Sequence, residues 1–290
     1  MSTLTARPIE EYTAKDYKSD LKPIWCPGCG DFGVVQAIYR ALANIGRAPH
    51  DIAFVSGIGC SSRIPGYTTA YGFNSVHGRA LPIAQGIKIA NPELTVIAVG
   101  GDGDGFSIGG GHLVHAVRRN PDITYVVMDN QIYGLTKGQT SPTSPLGIKT
   151  KSTPFGSADA PINPMAWVLA SGVSFAARGF SGDPKLLIDL ITAAVQHPGF
   201  AFVQAMSPCP TFNNTYDLWR GKVVSLPAEH NPEDRLQAMA QAIREDAIPL
   251  GVFYRETRPT LESHTRVTDH PAKGDASTGF DVRGLLESYR

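Results

Sequence analysis

The sequence predicts a doubly wound, mostly parallel α/β sheet, and three observations carry that expectation. Short apolar runs alternate with helical stretches, the runs are rich in branched residues, and several are followed directly by glycine- or cysteine-bearing turns. Strands are expected at residues 52–55, 94–99, 123–128, 173–177 and 201–205. Ahead of the first, Val34, Val35, Ile38, Ala41, Leu42 and Ile45 fall on one helical face that begins at Asp31 and stops at Gly46. Residues 81–90, 113–119, 164–170 and 184–197 have helical character, which completes repeated strand-helix-strand units.

Three segments flank or interrupt this pattern. Residues 1–23 are polar and aperiodic and read as an extended arm, leaving 24–217 as the α/β domain. Residues 133–163, rich in Gly, Pro, Ser and Thr, are too long for a routine connector and read as a functional loop. Residues 218–290 carry a weaker signal: a helix around 232–245 and a polar tail or lid.

Composition narrows the function. Lys plus Arg and Asp plus Glu are equal at 26 each, so no net field draws nucleic acid or anionic lipid. No run approaches the roughly 20 apolar residues that span a bilayer, and the first residues lack a secretory apolar stretch. The expected protein is soluble and cytoplasmic. Its four cysteines, Cys26, Cys29, Cys60 and Cys209, are too sparse for a disulfide scaffold. They remain core residues, redox thiols or metal ligands.

Position adds to this. Cys60, Asp102, Asn130 and Cys209 each lie just beyond the carboxyl end of an expected strand, the edge where open parallel sheets bind ligands. The turn Gly100-Gly101-Asp102-Gly103-Asp104-Gly105 lets backbone amides approach a diphosphate, and Asp102 offers a hard oxygen to a divalent cation. The alternative is an ordinary Asp-Gly turn. Cys26-Pro27-Gly28-Cys29 is a tight turn in which two thiolates face one metal; four thiolates suit iron–sulfur or zinc.

The Gly-Asp-Gly motif with a later Asn pair resembles the fingerprint of thiamine-diphosphate enzymes, with Asp129 standing where the first Asn is usual. That resemblance implies Mg²⁺ on Asp102, the Asn130 side chain and the Ile132 carbonyl. It implies cofactor contacts at Gly101, Asp102, Gly103, Asp104, Asn130, Gly134, Leu135 and Thr136. Taken with Trp25-Cys26-Pro27-Gly28-Cys29-Gly30, Gly57-Ile58-Gly59-Cys60, His77-Gly78-Arg79-Ala80 and Tyr133-Gly134-Leu135-Thr136-Lys137-Gly138-Gln139, the chain resembles the β subunit of 2-oxoacid:ferredoxin oxidoreductases over about residues 20–260. The resemblance implies one 4Fe-4S cluster on Cys26, Cys29, Cys60 and Cys209. It also implies oxidative decarboxylation with coenzyme A and electron delivery to ferredoxin.

Lys137-Gly138-Gln139 and the following Ser141-Pro142-Thr143-Ser144 resemble 2-oxoglutarate-type members, which yield succinyl-CoA. A distal carboxylate calls for a cation, and Arg63 is the first candidate, Lys137 the second, against the reading of Arg63 as a surface residue. His77 and Arg79 are candidate substrate or cofactor contacts, with a structural histidine as the alternative. His112 and His115 read as packing or surface residues. No second α/β domain supplies the carboxylate that the cofactor ring needs, so an α subunit is expected, in a pair of αβ units. Two other readings stay open. One is a non-oxidative thiamine-dependent decarboxylase subunit with structural or zinc-bound cysteines, and the other is a non-catalytic metal-binding scaffold.

Overall fold

The computed structural model describes residues 12–264; residues 1–11 and 265–290, onto which the expected arm and tail extend, lie outside the described residues. Helix α1 (Asp31–Ile45) ends as expected at Gly46, whose φ of 71° is a left-handed conformation that glycine adopts without strain. The next units run β1 (Ile52–Ser56), α2 (Ile64–Tyr67), β2 (Tyr71–Asn74), α3 (Ala80–Ala90) and β3 (Thr95–Gly101). They are followed by α4 (Asp102–Phe106), α5 (Gly110–Arg119), β4 (Ile123–Asp129), α6 (Pro164–Ala170) and β5 (Phe175–Phe180). The last are α7 (Pro184–Gln196), β6 (Phe200–Met206), α8 (Tyr216–Arg220), β7 (Val223–Ser225), α9 (Arg235–Ala242), β8 (Ile248–Arg255) and α10 (Leu261–His264).

One eight-stranded sheet has the order β2-β1-β3-β4-β6-β5-β8-β7. Strands β2 through β5 pair in parallel, β8 runs antiparallel to β5, and β7 pairs in parallel with β8. Alternation along the central strands builds two cores. Phe54, Ile97, Val99, Val126 and Val203 pack toward α1 and α7; Val55, Ala98, Tyr125, Val127 and Phe202 pack toward α3, α5, α6 and α9. Burial on both faces explains why these strands read as continuous apolar runs rather than alternating ones.

The sheet does not stop at residue 217, where the sequence signal fades. Strands β7 and β8 lie in residues expected to hold only a helix and a tail, and α9 packs on the core between α6 and β8. Pro249 and Gly251 punctuate β8, and Gly251 has φ 136° near an irregular register with β5, so no clean strand period survives there. Strand β2 also escapes sequence reading. All four of its residues are exposed, and pairing with β1 rather than burial holds it. Among the described residues, no helix is long and apolar enough to cross a membrane.

Candidate active site

The parallel order brings the carboxyl ends of β1, β3, β4 and β6 side by side, and the turns that follow β1, β3 and β4 line a cavity of about 480 Å³. Its wall includes Cys60, His77, Gly101–Asp104, Asn130, Ile132 and Gly134–Thr136, so most of the residues singled out in the sequence converge. Arg63 lies elsewhere. It lines a neighbouring cavity of about 340 Å³ that shares Ile58, Gly59 and Leu135 with the first. Arg79 turns away from the wall and donates from Nη1 to the His77 carbonyl at 2.9 Å.

Asp102 opens α4 and is only 2% exposed. The long loop after β4 holds it: Ser141 Oγ and Thr143 Oγ1 (2.8 Å) both contact Oδ2. Thr143 Oγ1 also lies 2.9 Å from Asp129 Oδ1, and Ser144 Oγ donates to the Gln131 carbonyl at 2.6 Å. Ser141, Thr143 and Ser144 therefore pin both halves of the motif. Burial, then the neighbouring Asp129 charge, pushes the Asp102 carboxyl up to about 7, against the lowering effect of these hydroxyls.

Asp129, the departure from the usual Asn, is 1% exposed and has its own buried support. Gln204 Nε2 donates to its Oδ2 at 2.8 Å, and Arg178 Nε donates to Gln204 Oε1 at 2.9 Å. Burial lowers the Arg178 pKa to about 10, an effect opposed by the Asp129 charge. Sequence reading missed this line because a lone Arg and Gln inside apolar strands carry no pattern; only the register Arg178↔Gln204 reveals it.

The residues fit a divalent cation. A fully buried carboxylate, an amide side chain and the backbone carbonyl of Ile132 are hard oxygen donors, and two adjacent buried carboxylates raise a local negative potential. Asn130 Oδ1 accepts the Ile132 amide at 3.0 Å, which orients the side chain by an Asx turn and leaves a second lone pair.

The four thiols are neighbours. Cys29 feels the charges of Cys209 and Cys60, and Cys60 feels those of Cys209 and Cys26. A Cβ built on Gly134 would touch the sulfurs of Cys60 and Cys209, each at 3.7 Å. Cys26 and Cys29 stand in a turn closed by the Cys29 amide on the Cys26 carbonyl at 3.1 Å, and Gly30 N donates to Pro208 O at 3.0 Å, tying that turn to the Cys209 segment.

Burial raises the thiol of Cys29 far above its usual range, that of Cys60 to about 11, and that of Cys209 as well. Bare thiolates are thus disfavoured here, while the backbone amides of Phe212, Thr211 and Asn213 lower the Cys209 pKa and would support a metal-bound sulfur. Asp31, also fully buried, has its carboxyl raised to about 6 by burial and contacts Ser207 Oγ at 2.6 Å. Among the described residues, no three His, Cys, Asp or Glu side chains come close enough to hold a single metal ion.

Residues 57–205 match the family model of the thiamine pyrophosphate enzyme C-terminal, TPP-binding domain, which places the chain, with its parallel sheet, among the thiamine-diphosphate enzymes. Residues 209–270, which include β7, α9 and β8, match the model of the C-terminal part of the pyruvate ferredoxin oxidoreductase β subunit. The chain belongs to the β subunits of the 2-oxoacid:ferredoxin oxidoreductases. It is 43% identical to the β subunit of 2-oxoacid:ferredoxin oxidoreductase 2 from Aeropyrum pernix over 85% of both chains. With the β subunit of the 2-oxoacid:ferredoxin oxidoreductase from Saccharolobus solfataricus it shares 44% identity over 89% of this chain and 90% of that one. Its fold superposes with a TM-score of 0.90 and 41% identity, over 100% of both chains, on a solved 2-oxoglutarate:ferredoxin oxidoreductase from Magnetococcus marinus with 2-oxoglutarate, coenzyme A and succinyl-CoA bound.

Proposed function

We propose that this β subunit, with its α partner, carries out the coenzyme A-dependent oxidative decarboxylation of 2-oxoglutarate. The products are succinyl-CoA, CO₂ and reduced ferredoxin. The observation that carries the reading is the shared wall: Cys60 lines the same cavity as Asp102 and Asn130, and Gly134 lies close to both the Cys60 and Cys209 sulfurs. A redox centre directly beside a diphosphate site suits oxidative chemistry and has no purpose in a non-oxidative decarboxylase. The convergence of the four thiols beside the proposed diphosphate site favours one 4Fe-4S cluster on Cys26, Cys29, Cys60 and Cys209 over zinc, which would do no redox work there. The choice of 2-oxoglutarate rests on the Magnetococcus relative and on the Lys137-Gly138-Gln139 loop.

In this reading thiamine diphosphate, when bound, supplies the carbon nucleophile and electron sink that decarboxylation needs. The chain's own residues hold and orient it. Asp102, the Asn130 side chain and the Ile132 carbonyl bind Mg²⁺. Gly101, Gly103, Gly134, Leu135 and Thr136 let the backbone approach the cofactor, and Gly103 is required in particular because a Cβ there would come within 2.3 Å of the Tyr133 ring. Arg63 is the proposed partner for the distal carboxylate, reached across the Ile58–Leu135 wall between the two cavities. His77 acts on the ligand from the stretch of wall beside Ile58, and Arg79 acts by holding the His77 backbone. The active enzyme is a pair of αβ units in the cytoplasm.

The test is anaerobic purification of the assembled enzyme. Expected are the broad brown absorption of an iron–sulfur centre, iron and sulfide in amounts matching the four cysteines, and turnover favouring 2-oxoglutarate over pyruvate and branched 2-oxoacids. A colourless complex that releases CO₂ without reducing ferredoxin refutes the oxidative reading.

A further inference from the structure

Asp104 sits in the glycine-rich turn where a cofactor contact is expected, yet its carboxylate is engaged by protein. Oδ1 accepts the amides of Ile58 at 2.8 Å and Gly78 at 2.7 Å and lies 3.1 Å from His77 Nδ1. The side chain is 1% exposed, and amides from two separate segments leave it no freedom to turn. Its other oxygen is buried without a partner, in space that exists because residue 57 is glycine: a Cβ there would fall 1.8 Å from Oδ2.

His77 meets this anchor with one side of its ring only. Nδ1 is buried, with Asp104 as the near acceptor, while 39% of the side chain stays open and the residue lines the cofactor cavity. Tyr133 flanks the ring with centroids 6.1 Å apart, and Arg79 binds the His77 carbonyl rather than the ring.

We infer that Asp104 is a positioning residue that fixes the His77 proton on Nδ1, so that Nε2 enters the cavity as a hydrogen-bond acceptor. The inference rests on the proposed function for what fills the cavity. An imidazole nitrogen facing a carboxylate oxygen takes the proton, and the remaining nitrogen keeps its lone pair. The Nδ1–Oδ1 approach is off-axis for a hydrogen bond, as such contacts often are before a ligand arrives, and a small rotation of the ring aligns it. The ligand group that meets His77 must then bring a hydrogen, as an amine, hydroxyl or thiol does. A carboxylate or keto oxygen is repelled at that point.

Solid-state NMR of the assembled, oxidised enzyme labelled with ¹⁵N-histidine tests this directly, with the His77 signals assigned by their loss in His77→Gln. Expected is a proton on Nδ1 and a free lone pair on Nε2. Asp104→Asn keeps an oxygen for the two amides and for His77 Nδ1, so the proton is expected to stay on Nδ1 there. Asp104→Ala removes the acceptor, the proton moves toward Nε2, and kcat falls about 10- to 100-fold while KM for the 2-oxoacid changes less than about twofold. A wild-type ring with a proton on Nε2 overturns the inference, and so does an unchanged tautomer in Asp104→Ala. Should Asp104→Ala fail to fold, the wild-type spectrum alone decides. Thiamine diphosphate content, assayed separately, reports on the cofactor reading whatever the tautomer.

Discussion

Asp102 concentrates two demands at a single side chain, burial and charge. Its carboxyl is raised to about 7 and that of Asp31 to about 6, both from a usual 3.8. The folded chain therefore binds more protons than the unfolded one between about pH 4 and pH 7, and cofactor-free protein loses stability as pH rises through that window. Thermal unfolding across the window is expected to show the fall, to show it shallower in Asp102→Asn, and to show it offset by Mg²⁺ with thiamine diphosphate. Asp102→Ala is expected to abolish Mg²⁺-dependent thiamine retention while leaving iron content intact, as measured by metal analysis and thiamine assay. Loss of both together would contradict separate cation and sulfur sites. Cys60, Asp102, Asn130 and Cys209 were legible in the sequence because each follows a strand in a motif of fixed order. Arg178 and Gln204 were not, since their meaning lies in cross-strand register. Arg63 and Arg79 were visible as charges, but their side-chain directions are set by packing that no spacing encodes.

At the scale of elements, the segment from residue 133 to 163 behaves as a clamp rather than a connector. Thr143 reaches Asp102 and Asp129 at 2.8 and 2.9 Å, so Thr143→Val, which keeps the shape, leaves both buried carboxylates short of a partner. A cost of about 1–3 kcal/mol is expected in chemical denaturation, with weaker cofactor retention. A second element-scale prediction concerns the region past residue 217. Arg235 Nη1 and Nη2 donate to the Leu169 and Val173 carbonyls at 2.9 and 3.2 Å, Nη2 also pairs with Glu256 at 3.1 Å, and the guanidinium lies 4.0 Å over the Tyr254 ring. Arg235→Ala is expected to cost about 2 kcal/mol and to lower the melting temperature of the whole chain, because α9 and β8 belong to the main core. An independent early transition for residues 218–264 would argue against that unity. The sequence hid this continuation because Pro249 and Gly251 break the period of β8, whereas the central strands, buried on both faces, announced themselves plainly.

For the whole molecule, one sheet edge gathers segments that begin at Trp25 and end at Asn213. Trp25 Nε1 donates to the Cys60 carbonyl at 2.8 Å, and Asn213 Nδ2 donates to the Asn130 carbonyl at 2.9 Å, so the cysteine-bearing segments and the Asn130 turn brace each other. Cys209→Ser is accordingly expected to lose visible absorption and ferredoxin reduction together. The chain purified without its α partner is expected to show negligible coenzyme A-dependent turnover.

Cys60 belongs both to the cavity wall and to the group of four sulfurs. Under the proposed assignment, an electron leaving the ligand starts its journey with almost no insulating protein to tunnel through. Distance then ceases to govern the first transfer, and the potential difference between donor and acceptor sets its pace. Attempts to hasten turnover by shortening that path have nothing left to remove. Changes at Gly134, whose added methyl would lean on two of the sulfurs at once, would register as a shift in midpoint potential before any loss of conduction.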